Sequence, residues 1–388
     1  GGRPLEASEP LGLYLHVPFC VSRCSYCDFY SRPFEGRSRV RAFAAALGDE
    51  IALSADALGL RGRRVDTIYF GGGTPSLLEP GEVEAILAGA ASTFRIDPGA
   101  EVSLEANPES VTREKLRALR GLGINRLSLG VQSFQSGVLE TLGRAHSPEE
   151  ALLAVEAARA AGFGNLSLDL MLALPGQDRA GLEEDLRTAG SLAPEHLSAY
   201  LLEMDKETAL RARIEKGELE PPTEDQAAEM YDLAAAALER AGLRQYEISS
   251  FARPGRECRH NRKYWTDLPF LGCGPSGWSC LGDRRFRVAR DLEGYLEAVG
   301  RKAAPERDED PVPPRVRFAE AVIAGLRLLE GIDLEAIARR HGVADPLGSR
   351  LPEILELEEA GLLRREGSRI RLTRRGLPVA NEVFRAFL

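Results

Sequence analysis

The sequence predicts an α/β protein: a partial (β/α)6 barrel followed by a small, winged-helix-like α+β domain. Three observations predict it. From residue 12 to about 250, short β-rich runs alternate with helical stretches, the pattern of a parallel sheet with crossover helices. A charged, proline-rich stretch, APERDEDPVPP at 304–314, then interrupts the chain; it cannot propagate a helix and is expected to be exposed. Beyond it, two or three amphipathic helices precede GLLRREGSRIRLTRRG, which reads as two short strands around a turn.

The six expected strands are GLYLHV at 12–17, VDTIYF at 65–70, EVSLEA at 101–106, RLSLGV at 126–131, NLSLDLML at 165–172 and HLSAYLL at 196–202. Helical patterns such as RAFAAALGDEIALSADAL and EEALLAVEAARAAG lie between them, the second stopped by Gly162. Six such units leave the barrel open rather than closed on eight. A further β-rich run, RQYEISSFA, follows the alanine-rich helix at 225–241 and leads into an irregular, glycine-rich segment up to about residue 285. The expected division is therefore a barrel over 1–250, a glycine-rich extension over 251–303, a linker over 304–314 and a small domain over 315–388.

A chain of 388 residues with 44% hydrophobic content can bury a sizeable core. No apolar run approaches the ~20 residues of a membrane span, and GGRPLEASEPLG lacks the apolar stretch of a secretory signal, so the expected compartment is the cytoplasm. The first methionine is Met171, which suggests a start that is trimmed or incomplete. A net charge of -9 argues against the whole molecule wrapping nucleic acid. Six cysteines are too few for a disulfide scaffold, and three of them fall within eight positions, which points to a metal.

Those three, Cys20, Cys24 and Cys27, form CxxxCxxC directly after the first strand. Soft thiolates favour iron–sulfur clusters or zinc; three thiolates on a cubane leave one iron open, and an open iron can bind a substrate. The alternative is a structural zinc site, which needs a fourth ligand, for which His16 is the nearest candidate. Polar residues also gather where a β/α barrel places its site, at the C-terminal ends of strands. The second strand runs into Gly71, Gly72 and Gly73, the third into Glu105 and Asn107, the fourth into Gln132, and the fifth carries Asp169. Singly, each is compatible with a satisfied core polar group; together, opposite a cysteine loop, they describe one cavity mouth.

With these features the sequence resembles the radical S-adenosylmethionine superfamily, whose signature is this CxxxCxxC after strand one. GGGTPS at 71–76 resembles the family's glycine motif, where a side chain would block close approach to the amino end of the cofactor. The resemblance implies a [4Fe-4S] cluster on the three cysteines, and S-adenosylmethionine contacts from Tyr14, Tyr26, Gly72, Gly73, Thr74, Glu105, Gln132, Arg144 and Asp169. A carboxylate such as Glu105 suits a ribose diol, and Arg144 suits the cofactor's carboxylate or a second anionic group.

Several phrases narrow the resemblance: LYLHVPFCVSRCSYCDFYS, FGGGTPSLL, LEANPES, LSLGVQSF with LGRAHS, LDLMLALPGQ and HNRKYW. They are similar to the oxygen-independent coproporphyrinogen III oxidase group and, within it, to the shorter relatives regarded as heme chaperones. The likeness is strong from residue 12 to about 280 and weaker over 315–388. In the oxidase the motif continues as CxxxCxxCxC, whereas here Phe29 stands two positions after Cys27. The chaperone branch carries HNxxYW, present as His260, Asn261, Tyr264 and Trp265. Leu172 and Ala173 depart from relatives that often have Tyr or His and Gly there.

An imidazole is a common axial ligand of heme iron, Tyr264 and Trp265 offer flat apolar faces, and Arg262 and Lys263 could pair with propionates. Read without the resemblance, the motif is equally an Asn/His turn followed by two core aromatics. Cys258 is an alternative thiolate ligand, while Cys273 and Cys280 read as small buried apolar residues. GCGPSG at 272–277 matches GxGxxG, yet no clear strand feeds it and no helix follows, so no dinucleotide is expected.

The implied function is heme binding and transfer to an acceptor hemoprotein, with the oxidase as alternative, using a radical to take hydrogen from the propionate side chains of coproporphyrinogen. The resemblance also implies an electron donor such as a flavodoxin or ferredoxin. A third possibility is nucleic-acid binding through Arg364, Arg365, Arg369, Arg371, Arg374 and Arg375. Residues 315–388 hold 13 basic against 11 acidic side chains, too even a balance for a strong electrostatic footprint, so a domain that caps the barrel or docks a protein is expected instead.

Overall fold

All six β-rich runs become strands: β1 (Leu11–Val17), β2 (Arg64–Gly72), β3 (Arg95–Ala106), β4 (Arg126–Gln132), β5 (Leu166–Leu172) and β6 (His196–Leu201). The computed structural model describes residues 5–6, 8–309 and 312–388; residues 1–4 and 7 of the expected barrel unit and 310–311 of the expected linker lie outside the described residues. The six strands pair in parallel in chain order. They are buried on both faces, as a parallel sheet covered by helices requires.

The connecting helices are α1 (Arg37–Ala57), α2 (Pro80–Thr93), α3 (Arg113–Gly121), α4 (Ser136–Leu142), α5 (Pro148–Ala160), α6 (Arg179–Ser191), α7 (Ala209–Glu215) and α8 (Glu224–Arg240). Their starts are written locally. Ser147 and Glu150 form a capping box with Pro148 at the first position of α5, and Thr223 and Gln226 do the same for α8.

After α8 come β7 (Arg244–Gln245), β8 (Ser250–Ala252), α9 (Arg259–Trp265), β9 (Phe270–Cys273), β10 (Trp278–Leu281), β11 (Arg284–Val288), α10 (Leu292–Gly300) and β12 (Arg307–Glu309). The expected irregular segment up to residue 285 is instead helix and sheet. β9 pairs in parallel with β1, and β10, β11 and β12 add antiparallel strands beyond it. The glycines that suggested irregularity serve tight turns: Gly274 has φ +86, and a Cβ there would lie 2.4 Å from the His16 carbonyl oxygen. Part of the expected linker is β12, the edge strand, where Arg284 and Arg287 hold Glu309 and Asp308. The result is an open twelve-stranded mixed sheet, ordered β12-β11-β10-β9-β1-β2-β3-β4-β5-β6-β8-β7.

The C-terminal residues form α11 (Pro314–Leu326), β13 (Ile332–Asp333), α12 (Leu334–His341), α13 (Leu351–Glu359), β14 (Leu363–Glu366), β15 (Arg369–Leu372) and α14 (Ala380–Arg385). β14 and β15 are the expected hairpin, and β13 completes a three-stranded sheet, giving the winged-helix pattern. Three of its arginines are engaged locally: Arg364 with Glu366, Arg365 with Glu358, and Arg369 with the Glu330 carbonyl. Among the described residues no helix is long and apolar enough to cross a membrane.

Candidate functional site

Two adjoining cavities open at the C-terminal ends of the parallel strands. The first, about 390 Å³, is lined by Cys20, Cys24 and Cys27 and by Tyr26, Gly72, Gly73, Thr74, Glu105, Gln132, Arg144 and Asp169. Of the nine residues expected at S-adenosylmethionine, Tyr14 alone lines the neighbouring cavity instead; its hydroxyl pairs with His16 Nδ1 at 3.2 Å.

The glycine motif is fastened to the cysteine loop. Gly73 N–H donates to the Val17 carbonyl at 2.8 Å and Thr74 N–H to that of Phe19 at 2.7 Å. A Cβ on Gly73 would meet the Phe19 carbonyl oxygen at 2.6 Å; Gly72 has φ +110, and a Cβ there would strike the His16 ring. The loop is also tied to α4 and α7, through Ser25 N–H to the Leu142 carbonyl and Leu210 N–H to that of Ser25.

Hydrogen-bond donors reach two of the sulfurs. Thr74 Oγ1 donates to Cys20 Sγ at 3.6 Å, and Arg144 Nη1 to Cys24 Sγ at 3.4 Å. Asn107 joins them, donating to Thr74 Oγ1 at 3.2 Å and accepting from Arg144 Nη2 at 2.8 Å. Its place after strand three was readable in the sequence; its bridging role was not. Burial pushes the Cys27 thiol up to about 11 and the Cys20 thiol in the same direction, so thiolates here need a cation to hold them.

Opposite the cysteines, Glu105 accepts from Tyr69 Oη at 2.7 Å and from Gly72 N–H at 3.3 Å, and burial raises it to about 7. Asp169 is raised by burial to about 6, against the Ser198 and Ser128 hydroxyls. Gln132 sits at the register shift between β4 and β5 with φ 69, a left-handed conformation costly for a residue with a Cβ. Ala173, where relatives often have glycine, likewise has φ 57.

These residues fit a sulfur-ligated cluster with a small organic cofactor beside it. Three cysteines share one cavity with a cradle that a Cβ would fill, and the buried Arg144 Nε has no partner among the described residues. No group of three or more His, Cys, Asp or Glu among the described residues gathers around a single-ion position. A cubane, by contrast, takes its thiolates on separate irons.

The second cavity, about 830 Å³, shares Asp28, Phe29, Glu105 and Tyr200 with the first. Tyr14, Tyr69, Tyr264, Trp265 and Phe270 give it aromatic walls, Trp278 and Cys280 of β10 face it, and residues of α11 and α14 roof it. Such a volume suits an organic ligand of porphyrin size.

Only one face of α9 reaches this cavity. Asn261, Tyr264 and Trp265 line it, at the i, i+3, i+4 spacing of a helical stripe. His260 is 0% exposed and lies behind that stripe. Its ring stacks on Tyr69 at 5.2 Å, its Nδ1 pairs with Thr67 Oγ1 at 2.8 Å, and burial lowers its pKa to about 3. The expected propionate partners are also turned away: Lys263 is buried against Asp66 at 2.8 Å, and Arg262 pairs with Glu330 at 3.0 Å. The cations on the cavity wall are Arg285, Arg290, Arg317 and Arg327, from segments outside HNxxYW. Arg285 pairs with Glu320 and Arg327 with Glu247, whereas Arg290 donates to the Ser276 hydroxyl at 3.3 Å. Cys258 is buried beside Glu101, away from the cavity lining.

Residues 14–189 match the model of the Radical SAM superfamily, and residues 312–379 that of the HemN C-terminal domain. The heme chaperone HemW of Bacillus subtilis is 35% identical over 377 residues, covering 97% of this chain and 98% of its own. HemW of Mycobacterium tuberculosis is 37% identical over 382 residues, covering 98% and 95%. Among solved structures, coproporphyrinogen III oxidase (HemN) from Escherichia coli, described as a radical SAM enzyme, superposes with a TM-score of 0.84 at 26% identity, covering 98% of this chain and 91% of that one.

Proposed function

Since this chain belongs to the radical S-adenosylmethionine superfamily and, within it, to the heme chaperones related to oxygen-independent coproporphyrinogen III oxidase, we propose that it binds heme in the second cavity and passes it to an acceptor hemoprotein. In this reading Cys20, Cys24 and Cys27 hold a [4Fe-4S] cluster beside S-adenosylmethionine in the first. The observation that carries it is the common wall: Asp28, Phe29, Glu105 and Tyr200 face both cavities, so a porphyrin-sized pocket stands directly beside the cysteine site.

When bound, the cluster and S-adenosylmethionine supply redox and radical chemistry at the first cavity. The chain's own residues position them. Thr74 and Arg144 donate to thiolate sulfurs, which lowers the cost of burying their charge. Gly72 and Gly73 leave the backbone open for the cofactor's amino end, and Glu105 offers a carboxylate to its ribose. In the second cavity the aromatic walls take the macrocycle and exclude water, and Arg290 takes a carboxylate.

Phe29 stands where the oxidase motif has a further cysteine, and it lies 62% exposed at the junction of the cavities. That supports cargo binding over the oxidase reaction. The compartment in this reading is the cytoplasm, and the electron donor a flavodoxin or ferredoxin. The test is anaerobic reconstitution with iron and sulfide, followed by hemin addition to the same sample. About four irons per chain and a Soret shift on hemin addition are expected. Absence of the shift, or oxygen-independent conversion of coproporphyrinogen III, overturns the chaperone reading.

A further inference from the structure

We propose that Asp185 of α6 is a positioning residue for Gln132: it holds the turn that aims this side chain into the first cavity. The inference rests on the reading of that cavity as the S-adenosylmethionine site and concerns what keeps one of its walls in shape.

The starting observation is backbone strain. β4 carries one extra residue against β5, since Gly130 pairs with Asp169 but Gln132 with Leu170. The chain then turns at once: Ser133 N–H donates to the Val131 carbonyl at 2.9 Å across Gln132, whose φ is 69. That is a γ-turn of the rare, positive-φ kind, and a residue with a Cβ stays in it only where its surroundings hold it. Glycine would be the unstrained choice. The side chain kept at this cost lines the cavity. A Cβ on Gly130 would stand 3.2 Å from Gln132 Nε2, 3.1 Å from Asn107 Oδ1 and 3.5 Å from Arg144 Nη2, so the three side chains meet over that glycine.

A carboxylate from α6 holds the turn. Asp185 is 1% exposed and lies behind the cavity rather than on its lining. Its Oδ2 accepts from Ser133 Oγ at 2.7 Å, and its Oδ1 from Phe134 N–H at 2.8 Å and Gln135 Nε2 at 3.4 Å. Ser133 Oγ in turn accepts from Gln135 N–H at 3.0 Å. All three residues after Gln132 are thus tied to one buried group. On the other side of the turn, His146 Nε2 meets the Val131 carbonyl at 3.0 Å. Burial pushes the Asp185 carboxyl up, and the hydrogen bonds from Ser133, Phe134 and Gln135 pull it back. A carboxylate that merely filled space between α6 and β4 would be a costly choice, because only these donors offset its burial.

The neighbouring strand end repeats the pattern. Ala173, just after β5, has φ 57. Gln177, which stands beside the same carboxylate, accepts from Leu174 N–H at 3.3 Å and donates to the Met171 carbonyl at 3.2 Å. Asp185 and Gln177 thus secure two left-handed turns, each next to a residue of the cavity wall, Gln132 and Met171.

The test is isothermal titration of S-adenosylmethionine into anaerobically reconstituted, full-length protein, arranged as a double-mutant cycle. Asp185→Ala should weaken binding about tenfold, while the iron content stays at about four per chain and hemin affinity is unchanged. In a Gln132→Gly background no side chain is left to aim and the backbone takes the turn unaided, so Asp185→Ala should change the affinity by less than about twofold. Ser133→Ala removes one donor only; it should give a smaller loss with the same dependence on Gln132, and it carries the test if Asp185→Ala does not fold. An equal loss in both backgrounds, no loss in the unaltered background, or loss of iron together with the cofactor would each overturn the assignment. Failure of the unaltered protein to bind S-adenosylmethionine would instead overturn the reading of the first cavity on which it stands.

Discussion

The two cavities share a wall but are assembled in opposite ways. The first is made from the ends of consecutive β/α units: the loop after β1, the glycine turn after β2, Glu105 and Asn107 at the end of β3, Gln132 of β4 and Asp169 of β5. The second sets side chains of α9, β10, α11 and α14 against Tyr14 and Tyr69 of the barrel, brought together by pairing of β9 onto β1 and by the roof of the C-terminal domain. A barrel places its site by rule, whereas an extension places one by packing. The first should therefore answer to loss of a ligand, and the second to loss of the contacts that hold its walls.

The largest effect follows from the first half of that contrast. Cys24→Ala should reduce the reconstituted iron content from about four per chain to near none, since a cubane on two protein thiolates is not retained. Hemin uptake, measured optically on the same protein, should persist. If hemin binding falls with the iron, the cavities are one site and the contrast fails.

The same contrast explains what the sequence disclosed. The three cysteines and the strand-end residues are local signals, since strand period and chain order fix where each will stand. The second cavity had one local signal, HNxxYW, and that signal was ambiguous about faces. A seven-residue helix turns Asn261, Tyr264 and Trp265 outward and His260 and Lys263 inward, and which stripe is which depends on what α9 packs against. Arg290, Arg317 and Cys280 lie on separate elements with no shared motif. Only the pairing of β9 and β10 with the main sheet and the docking of α11 unite them. Glycines at 272–277 read as irregularity because sharp turns between short strands carry the same composition as loops.

The walls of the second cavity are tied to the barrel through Glu50 of α1. Its carboxylate accepts from Gly274 N–H at 2.6 Å and Tyr295 Oη at 2.8 Å, with Ser54, Cys273 and Arg307 close by. Burial raises it from an ordinary 4.5 to about 7, so the folded state binds this proton more tightly than the unfolded chain. The associated stability is complete below about pH 4.5 and is lost as pH rises through about 7, to a total of about 3 kcal/mol. Glu50→Gln keeps an acceptor for Gly274 and should flatten that fall. Denaturant unfolding at pH 5 and 8 checks it: an unchanged slope in the variant would show that Glu50 does not tie the two regions.

Glu105, on the shared wall, sharpens the contrast further. Tyr69→Phe removes the hydroxyl that donates to it and so raises its proton affinity above the present value of about 7. If the carboxylate form holds the ribose, S-adenosylmethionine affinity rises with pH through that region. The variant should shift the rise upward and weaken binding at neutral pH about tenfold, the worth of one charge-assisted hydrogen bond. Isothermal titration at several pH values reads both. Equal weakening of hemin binding would mean that the tyrosine acts through general packing.

The smallest effect separates the cation the structure brings to the cavity from the one the motif suggested. Arg290 is exposed, and its guanidinium donates to Ser276, which leaves it available to a carboxylate entering the second cavity. Solvent screens such a pair, so Arg290→Ala should weaken hemin binding by roughly fivefold, about 1 kcal/mol, and less at high salt. The dimethyl ester of hemin, which has no charged propionates, should bind both proteins alike. Arg262, held by Glu330 on the other side of α9, provides the control, and Arg262→Ala should leave the hemin affinity unchanged. If Arg262→Ala weakens binding while Arg290→Ala does not, the macrocycle lies across the buried face of α9, and the helix would have to turn to admit it.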